Sequence, residues 1–69
     1  MNIIEQKERN AAAREGVETL TKVNGLKLGF IAKQLEMSSL ASFSHWRHGK
    51  YDFGKDRLDQ VENLISKYK

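Results

Sequence analysis

The sequence predicts a small all-α domain, a compact bundle of four to five helices. Apolar residues recur at helical spacing in separate segments, and there is no proline and only five glycines in 69 residues. Charged residues make up 30% and hydrophobic residues 39% of the chain, a balance typical of soluble globular domains. A chain of this length has room for one hydrophobic core, so we expect a single domain over residues 1–69.

The composition also excludes several classes of protein. There is no cysteine, which excludes disulfide scaffolds, thiolate zinc sites and a cysteine nucleophile. No apolar run reaches the roughly 18 residues that span a bilayer, and no signal-peptide pattern is present, so we expect a cytoplasmic protein without membrane contact. We find no acid/base pair, nucleophile or phosphate loop, and predict no enzyme, catalytic residue, cofactor or small-molecule substrate.

The first predicted helix covers residues 3–22, and strong helix formers fill its middle. Its apolar stripe consists of Ala13, Val17 and Leu20. The stripe is thin near the front of the helix, so residues 1–12 are expected to be a helical extension that can fray. Gly16 is a weak point inside the helix, and Asn24-Gly25 predicts its end.

The second predicted helix covers residues 28–36. Its core-facing stripe consists of Leu28, Ile31, Ala32 and Leu35. Phe30 lies away from this stripe and allows two interpretations. It either packs half-buried against a neighbouring helix or forms an exposed apolar anchor for another protein, which Gly29 would allow to approach closely.

The third predicted helix covers residues 39–48, with a serine before it as a cap and Gly49 at its end. Its core face consists of Leu40, Phe43, Trp46 and the stem of Arg47, and its outward face of Ser38, Ala41, Ser42, His45 and His48. The two histidines have a spacing compatible with a metal pair, but no carboxylate or cysteine accompanies them, so we expect no metal site. The aromatic stripe is expected in the core rather than as a stacking platform for bases.

The last predicted helix covers residues 55–68. Its apolar positions are Leu58, Val61, Leu64, Ile65 and Tyr68. In the irregular connection before it, Phe53 is expected to fold back onto the core.

Positive charge is concentrated in the middle of the chain. Residues 22–55 contain six cations and two carboxylates, whereas residues 1–21 have a net charge of −1 and residues 56–69 a net charge of zero. This distribution predicts a surface that faces phosphates.

Two short helices joined by a tight turn, with small polar residues facing outward on the second, are typical of a helix-turn-helix. The segment 25–50 resembles the phage lambda repressor/Cro family, and the likeness extends over residues 17–66. It is carried by Leu26, Ile31-Ala32, Leu35, Met37, Phe43-Ser44, Trp46, Gly49-Lys50, Leu58 and Leu64-Ile65. The resemblance implies a lambda-repressor-like fold, double-stranded operator DNA as the partner, and a homodimer on two half-sites. It also implies a protein of the bacterial cytoplasm.

The candidate DNA-binding residues combine the outward polar side chains with the neighbouring cations. They are Lys33, Gln34, Ser38, Ser39, Ser42, His45, Lys50 and Tyr51. At least one of the two adjacent serines is expected to act as a helix cap instead.

The sequence departs from the family pattern in ways that favour an alternative. The turn is one residue longer, Glu36 stands where the family often has glycine, and Lys27 replaces the usual Ser or Thr cap. The departures that favour the alternative are apolar: Leu28 stands where many members have a glutamine that touches phosphate, and Phe30 replaces an exposed polar residue. The reading face has no Arg, Asn or Gln. The alternative is an antirepressor, resembling phage modulators of repression, that binds the DNA-binding domain of a cognate repressor. Its contact residues would be Leu28, Gly29 and Phe30.

Overall fold

Four α-helices follow one another in the computed structural model, which describes residues 2–68. They span Ile3–Lys22 (α1), Leu28–Gln34 (α2), Leu40–Arg47 (α3) and Lys55–Lys67 (α4). The described residues contain no strand, so the predicted all-α class is confirmed, and each predicted helix boundary lies within two residues of the observed one. No helix in this part of the chain is long and apolar enough to cross a membrane.

Local side-chain and glycine signals account for the ends of α1 and α3. Asn2 caps α1, because its Oδ1 accepts from the backbone N–H of Glu5, and Ser39 caps α3, because its Oγ accepts from the N–H of Ser42 at 3.1 Å. Gly25 and Gly49 follow α1 and α3 with φ of 71° and 79°. This left-handed conformation commonly ends helices, and glycine adopts it without the steric cost of a Cβ.

The core lies where α1 packs against α4 and α2 packs against α3. The buried apolar residues are Ala13, Val17, Leu20, Ile31, Ala32, Leu35, Phe43, Trp46, Phe53, Leu58, Val61 and Leu64. The predicted core positions of Trp46 and Phe53 are therefore confirmed, and their rings stack in parallel with centroids 4.2 Å apart. Ile65 is half-buried against this core.

Three predicted core positions are wrong or only partly right. Leu40 is 54% exposed and Tyr68 is 37% exposed, whereas Leu28 is half-buried. At about 100° per residue, Leu40 lies roughly 120° around the helix from Trp46, so α3 cannot bury both side chains. Tyr68 was expected on the apolar face of α4, but it follows the last residue of that helix.

Asn10 is a fully buried polar residue at the centre of the fold. Its Oδ1 accepts from Trp46 Nε1 and from the backbone N–H of Phe53, both at 2.8 Å. Its Nδ2 donates to the carbonyl oxygens of Gln6 at 2.8 Å and Phe53 at 3.1 Å. One side chain thus joins α1 to α3 and to the α3–α4 connection, and leaves the polar groups around it paired.

The front of α1 is held by side chains rather than by an apolar stripe. The side chain of Gln6 donates to the carbonyl oxygen of Phe53 at 2.9 Å, and Arg9 forms ion pairs with Asp59 and Glu62 of α4. The segment expected to fray is therefore attached to the rest of the domain from Gln6 onward. Met1, which that expectation includes, lies outside the described residues.

Candidate nucleic-acid interface

The α2–α3 pair presents one face to solvent, and the connection between the helices sets its geometry. Residues 35–39 form this connection, in which Glu36 adopts the left-handed conformation with φ 58°. The N–H of Glu36 donates to the carbonyl oxygen of Lys33, and the N–H of Met37 donates to that of Ala32, both at 3.0 Å. The glutamate thus holds a conformation that usually belongs to glycine at the end of a helix.

The outward face of α3 is small, polar and partly apolar. Its exposed members are Leu40, Ala41, His45 and His48, and Ser44 is half-buried beside them. Because residues four apart share a helix face, Leu40 and Ser44 form one row and Ala41 and His45 the next.

The C-terminal end of α3 is held in place by Arg14 of α1. Its Nε donates to the carbonyl oxygen of Trp46 at 2.6 Å, and its Nη2 donates to that of Tyr51 at 2.8 Å. The same nitrogen forms an ion pair with Asp52 at 3.0 Å, and the guanidinium lies over the Trp46 ring. A guanidinium that donates hydrogen bonds to a carbonyl oxygen in the last turn of a helix helps to fix the orientation of that helix.

Ser42 and Tyr51 bond to each other rather than extending freely into solvent. Tyr51 Oη donates to the carbonyl oxygen of Ser42 at 3.0 Å, and the two hydroxyl oxygens lie 2.9 Å apart. The phenol proton is used in the first bond, so the Ser42 hydroxyl donates in the second. Ser42 is half-buried, which differs from its predicted place on the outward face. This pair joins α3 to the connection that follows it.

The other predicted DNA-binding residues all lie on the surface around α2 and α3. Exposed among them are Lys33, Gln34, Ser38, Ser39, His45 and Lys50. A groove between the two helices is lined by Gly29, Ala32, Lys33, Glu36, Met37, Ser38 and Leu40. Ser39 has the structural role of capping α3, whereas Ser38 lies in the groove wall.

The electrostatics of this face differ from those of the rest of the chain. Residues 26–50 contain four cations and one carboxylate, a net charge of +3, whereas the remainder contains eight of each and is neutral. Those four cations are Lys27, Lys33, Arg47 and Lys50. None of them is in an ion pair within residues 2–68, whereas Arg9, Arg14, Lys22 and Lys55 are all paired.

The three predicted protein-contact residues lie at the start of α2. Phe30 is 41% exposed. At Gly29, nothing lies within 4 Å of the place that a Cβ would take, so the backbone here is open to an approaching molecule. Leu28 is half-buried against the core.

Sequence reasoning missed three residues that shape this region. Asn10, Arg14 and Ser44 were given no role in it, although Asn10 lies at helical spacing from Ala13 and Val17, a signal for burial. Arg14 carries no comparable signal, because two of its partners are backbone carbonyls far along the chain.

Within the described part of the chain, no group of three or more His, Cys, Asp or Glu side chains could hold a metal ion. Comparisons of the chain with protein-family models, with curated proteins and with solved structures found no match.

Proposed function

We propose that this chain is a non-catalytic, DNA-binding transcription regulator of the lambda repressor/Cro helix-turn-helix type. In this arrangement α2 lies across the phosphate backbone, and α3 enters the major groove, which is wide enough for one helix. The protein pairs as a homodimer on two half-sites one helical turn apart.

The charge distribution is the observation that carries this proposal. The whole net charge of +3 resides on residues 26–50, where Arg47 lies near Glu18 of α1 and Lys27, Lys33 and Lys50 are exposed and outside the ion pairs of the described chain. A surface with uncompensated cations around a projecting helix attracts the phosphates that flank a major groove.

Six of the eight candidate residues have a defined role in this proposal. Lys33, Gln34 and Lys50 bond phosphates on either side of the groove, as exposed side chains beside a reading helix do. His45 contacts base edges from the outward face of α3. Ser42 and Tyr51, which bond to each other, set the orientation of α3 and make no base contact.

The test is the affinity of the purified chain for fluorescein-labelled duplexes from its own promoter, measured by anisotropy at low and physiological salt. Sequence-dependent binding that persists at physiological salt is expected, with a scrambled duplex as the control. Binding that vanishes with salt whatever the sequence would contradict the proposal, since it would reflect counterion release alone.

A pair of charge variants tests the face itself. The double variant Lys33→Gln/Lys50→Gln is expected to reduce the slope of log K against log salt by about 1.8, because each lost phosphate contact contributes about 0.9. The matched control is Lys7→Gln/Lys67→Gln, which removes two exposed lysines of α1 and α4 and should leave the slope unchanged.

The exposure of Phe30 favours a second candidate function, an antirepressor that docks onto the DNA-binding domain of a cognate repressor. Phe30 is the anchor in this case, and the open backbone at Gly29 lets the partner approach. Phe30→Ala then weakens the protein complex by about 2 kcal/mol or more and leaves DNA affinity unchanged. Equal affinity of wild type and Phe30→Ala for the repressor domain, measured by calorimetry, would exclude this function.

A further inference from the structure

We propose that Leu40 and Ala41 read the methyl groups of thymine in the major groove, so that the preferred duplex carries thymine where the first turn of α3 enters. This inference rests on the proposed DNA-binding function and adds the base chemistry that the site selects.

The first observation is the place of Leu40. A single exposed leucine is ordinary on a protein surface, but Leu40 is 54% exposed at the first position of α3. It lines the groove between α2 and α3 together with Lys33 and Ser38. Ala41 follows it and is also exposed. The two form a small apolar step at the leading end of the helix.

The surroundings of this step favour DNA over an apolar protein surface. Lys33 and Lys50, both exposed and outside any ion pair in the described chain, belong to the same α2–α3 segment, whose one carboxylate is Glu36. One turn further along α3, Ser44 and His45 continue the rows of Leu40 and Ala41 with hydrogen-bonding groups. The face therefore combines an apolar step, polar groups and uncompensated positive charge.

The chemistry of base edges gives that combination a specific ligand. The C5 methyl of thymine is the apolar group that a base pair presents in the major groove, and alanine is among the side chains that contact it. The outward face has no Arg, Asn or Gln to bond a base in two places. The methyl contacts of Leu40 and Ala41 consequently supply the preference for A·T pairs at this end of α3. Covering one methyl group changes affinity about fourfold.

The test removes only the methyl group. A preferred duplex is selected from a randomised pool at low salt, and each thymine is then replaced in turn by deoxyuridine, which keeps every hydrogen-bonding group of the base. We expect one or two positions per half-site at which the replacement weakens binding about fourfold. Leu40→Ala should bind both forms of the duplex with nearly equal affinity at one of these positions.

Val23→Ala is the matched control, because Val23 is 78% exposed and lies at the end of α1, outside the α2–α3 pair. It should keep the wild-type preference for thymine. Circular dichroism establishes that both variants fold, as expected for exposed side chains.

The outcomes separate the two proposals. Sequence-dependent binding with equal affinity for thymine and deoxyuridine at every position would overturn the methyl contact and leave DNA binding intact. If no duplex is enriched over the random pool, both the proposed function and this inference are wrong. If a duplex is enriched and Leu40→Ala still prefers thymine to deoxyuridine in it, another residue makes the methyl contact, and the role of Leu40 is overturned.

Discussion

Glu36 is a residue held in an unfavourable backbone conformation. Its φ of 58° lies in the left-handed region, where a side chain costs roughly 1–2 kcal/mol relative to the right-handed one. The hydrogen bonds of Glu36 and Met37 back to α2 fix this conformation, so the chain cannot relax it without losing the turn. Glycine would adopt the same conformation without the steric penalty.

Glu36→Gly is therefore expected to raise the free energy of unfolding by about 0.5–1 kcal/mol, the relief of strain less the greater entropy of glycine in the unfolded chain. Urea unfolding followed by far-UV circular dichroism measures it. Glu36→Ala is the control, because it removes the same carboxylate but keeps the Cβ. An equal gain in both variants would show that charge, not conformation, is responsible.

Asn10 is a residue whose removal affects several partners at once. Asn10→Ala leaves Trp46 Nε1 and the N–H of Phe53 without an acceptor in the core, whereas the Phe53 carbonyl keeps the Gln6 side chain as a donor. We expect the free energy of unfolding to fall by about 3 kcal/mol, since each buried unsatisfied group costs about 1–3 kcal/mol. Asn63→Ala, at an exposed position of α4, should change it by less than about 0.5 kcal/mol. A fall below about 1 kcal/mol for Asn10→Ala would show that water replaces the amide.

At the scale of elements, α1 and α4 approach closely at Gly16. A Cβ added there would lie 2.3 Å from Ile65 Cδ1, too near for both atoms to stay where they are. Gly16 thus weakens the helix locally but permits the packing of α4 on α1, which explains its presence at a position where alanine has the higher helix propensity.

A double-mutant cycle tests this account. Gly16→Ala alone should gain less than the roughly 1 kcal/mol that helix propensity provides, because the new methyl group displaces the end of Ile65. In the background Ile65→Val, which lacks Cδ1, the same substitution should recover most of that gain. Thermal and urea unfolding of the four proteins give the coupling energy. Additive effects would mean that the side chain of Ile65 moves aside without cost.

The helices themselves were predictable from the sequence, and the reasons are local. The stripes through Val17 and Val61, the serine at the start of α3 and the glycines at positions 25 and 49 are signals contained in a few consecutive residues. The same signals predicted burial of Trp46 correctly.

The direction in which α3 faces was not predictable in the same way. Burial of Phe43 and Trp46 leaves Leu40 in solvent and half-buries Ser42, which lies four residues before Trp46 and so shares its face. Which face of α3 is buried depends on contacts between segments distant in the sequence, including the bond of Arg14 to the end of α3. Periodicity alone indicates which residues share a face, not where the rest of the molecule places that face.

At the scale of the whole molecule, charge is divided between two faces. The α1–α4 side contains ion pairs, including Arg9 with Asp59 and Glu62, whereas no ion pair within residues 2–68 includes a cation of residues 26–50. The guanidinium of Arg9 donates a hydrogen bond to Asp59, and this bond, assisted by Lys55, lowers the pKa of the Asp59 carboxyl below its ordinary value. The ion pairs of α1 and α4 thus lie apart from the cations of the proposed DNA-binding surface.

This lowered pKa makes stability depend on pH. Because Asp59 binds its proton more weakly in the folded chain, its contribution is complete above the ordinary carboxyl pKa of about 4 and is lost as the pH falls below that value. We expect the free energy of unfolding to decrease between about pH 5 and pH 2, and to decrease less in Asp59→Asn. Glu8→Gln removes an exposed carboxylate outside any ion pair in residues 2–68 and should leave the slope unchanged. Equal slopes in wild type and Asp59→Asn would contradict this role.

Trp46 is the one tryptophan of the chain, and its surroundings make it an intrinsic optical probe. The indole is fully buried, bonded through Nε1 to Asn10 and stacked on Phe53. Its emission should be blue-shifted in the native state and move to longer wavelength when the core opens. A ligand on the outward face of α3 lies on the other side of the helix and should leave that emission unchanged. Intrinsic fluorescence of this protein consequently records folding and not the binding proposed at α3, so the two can be measured independently in one sample.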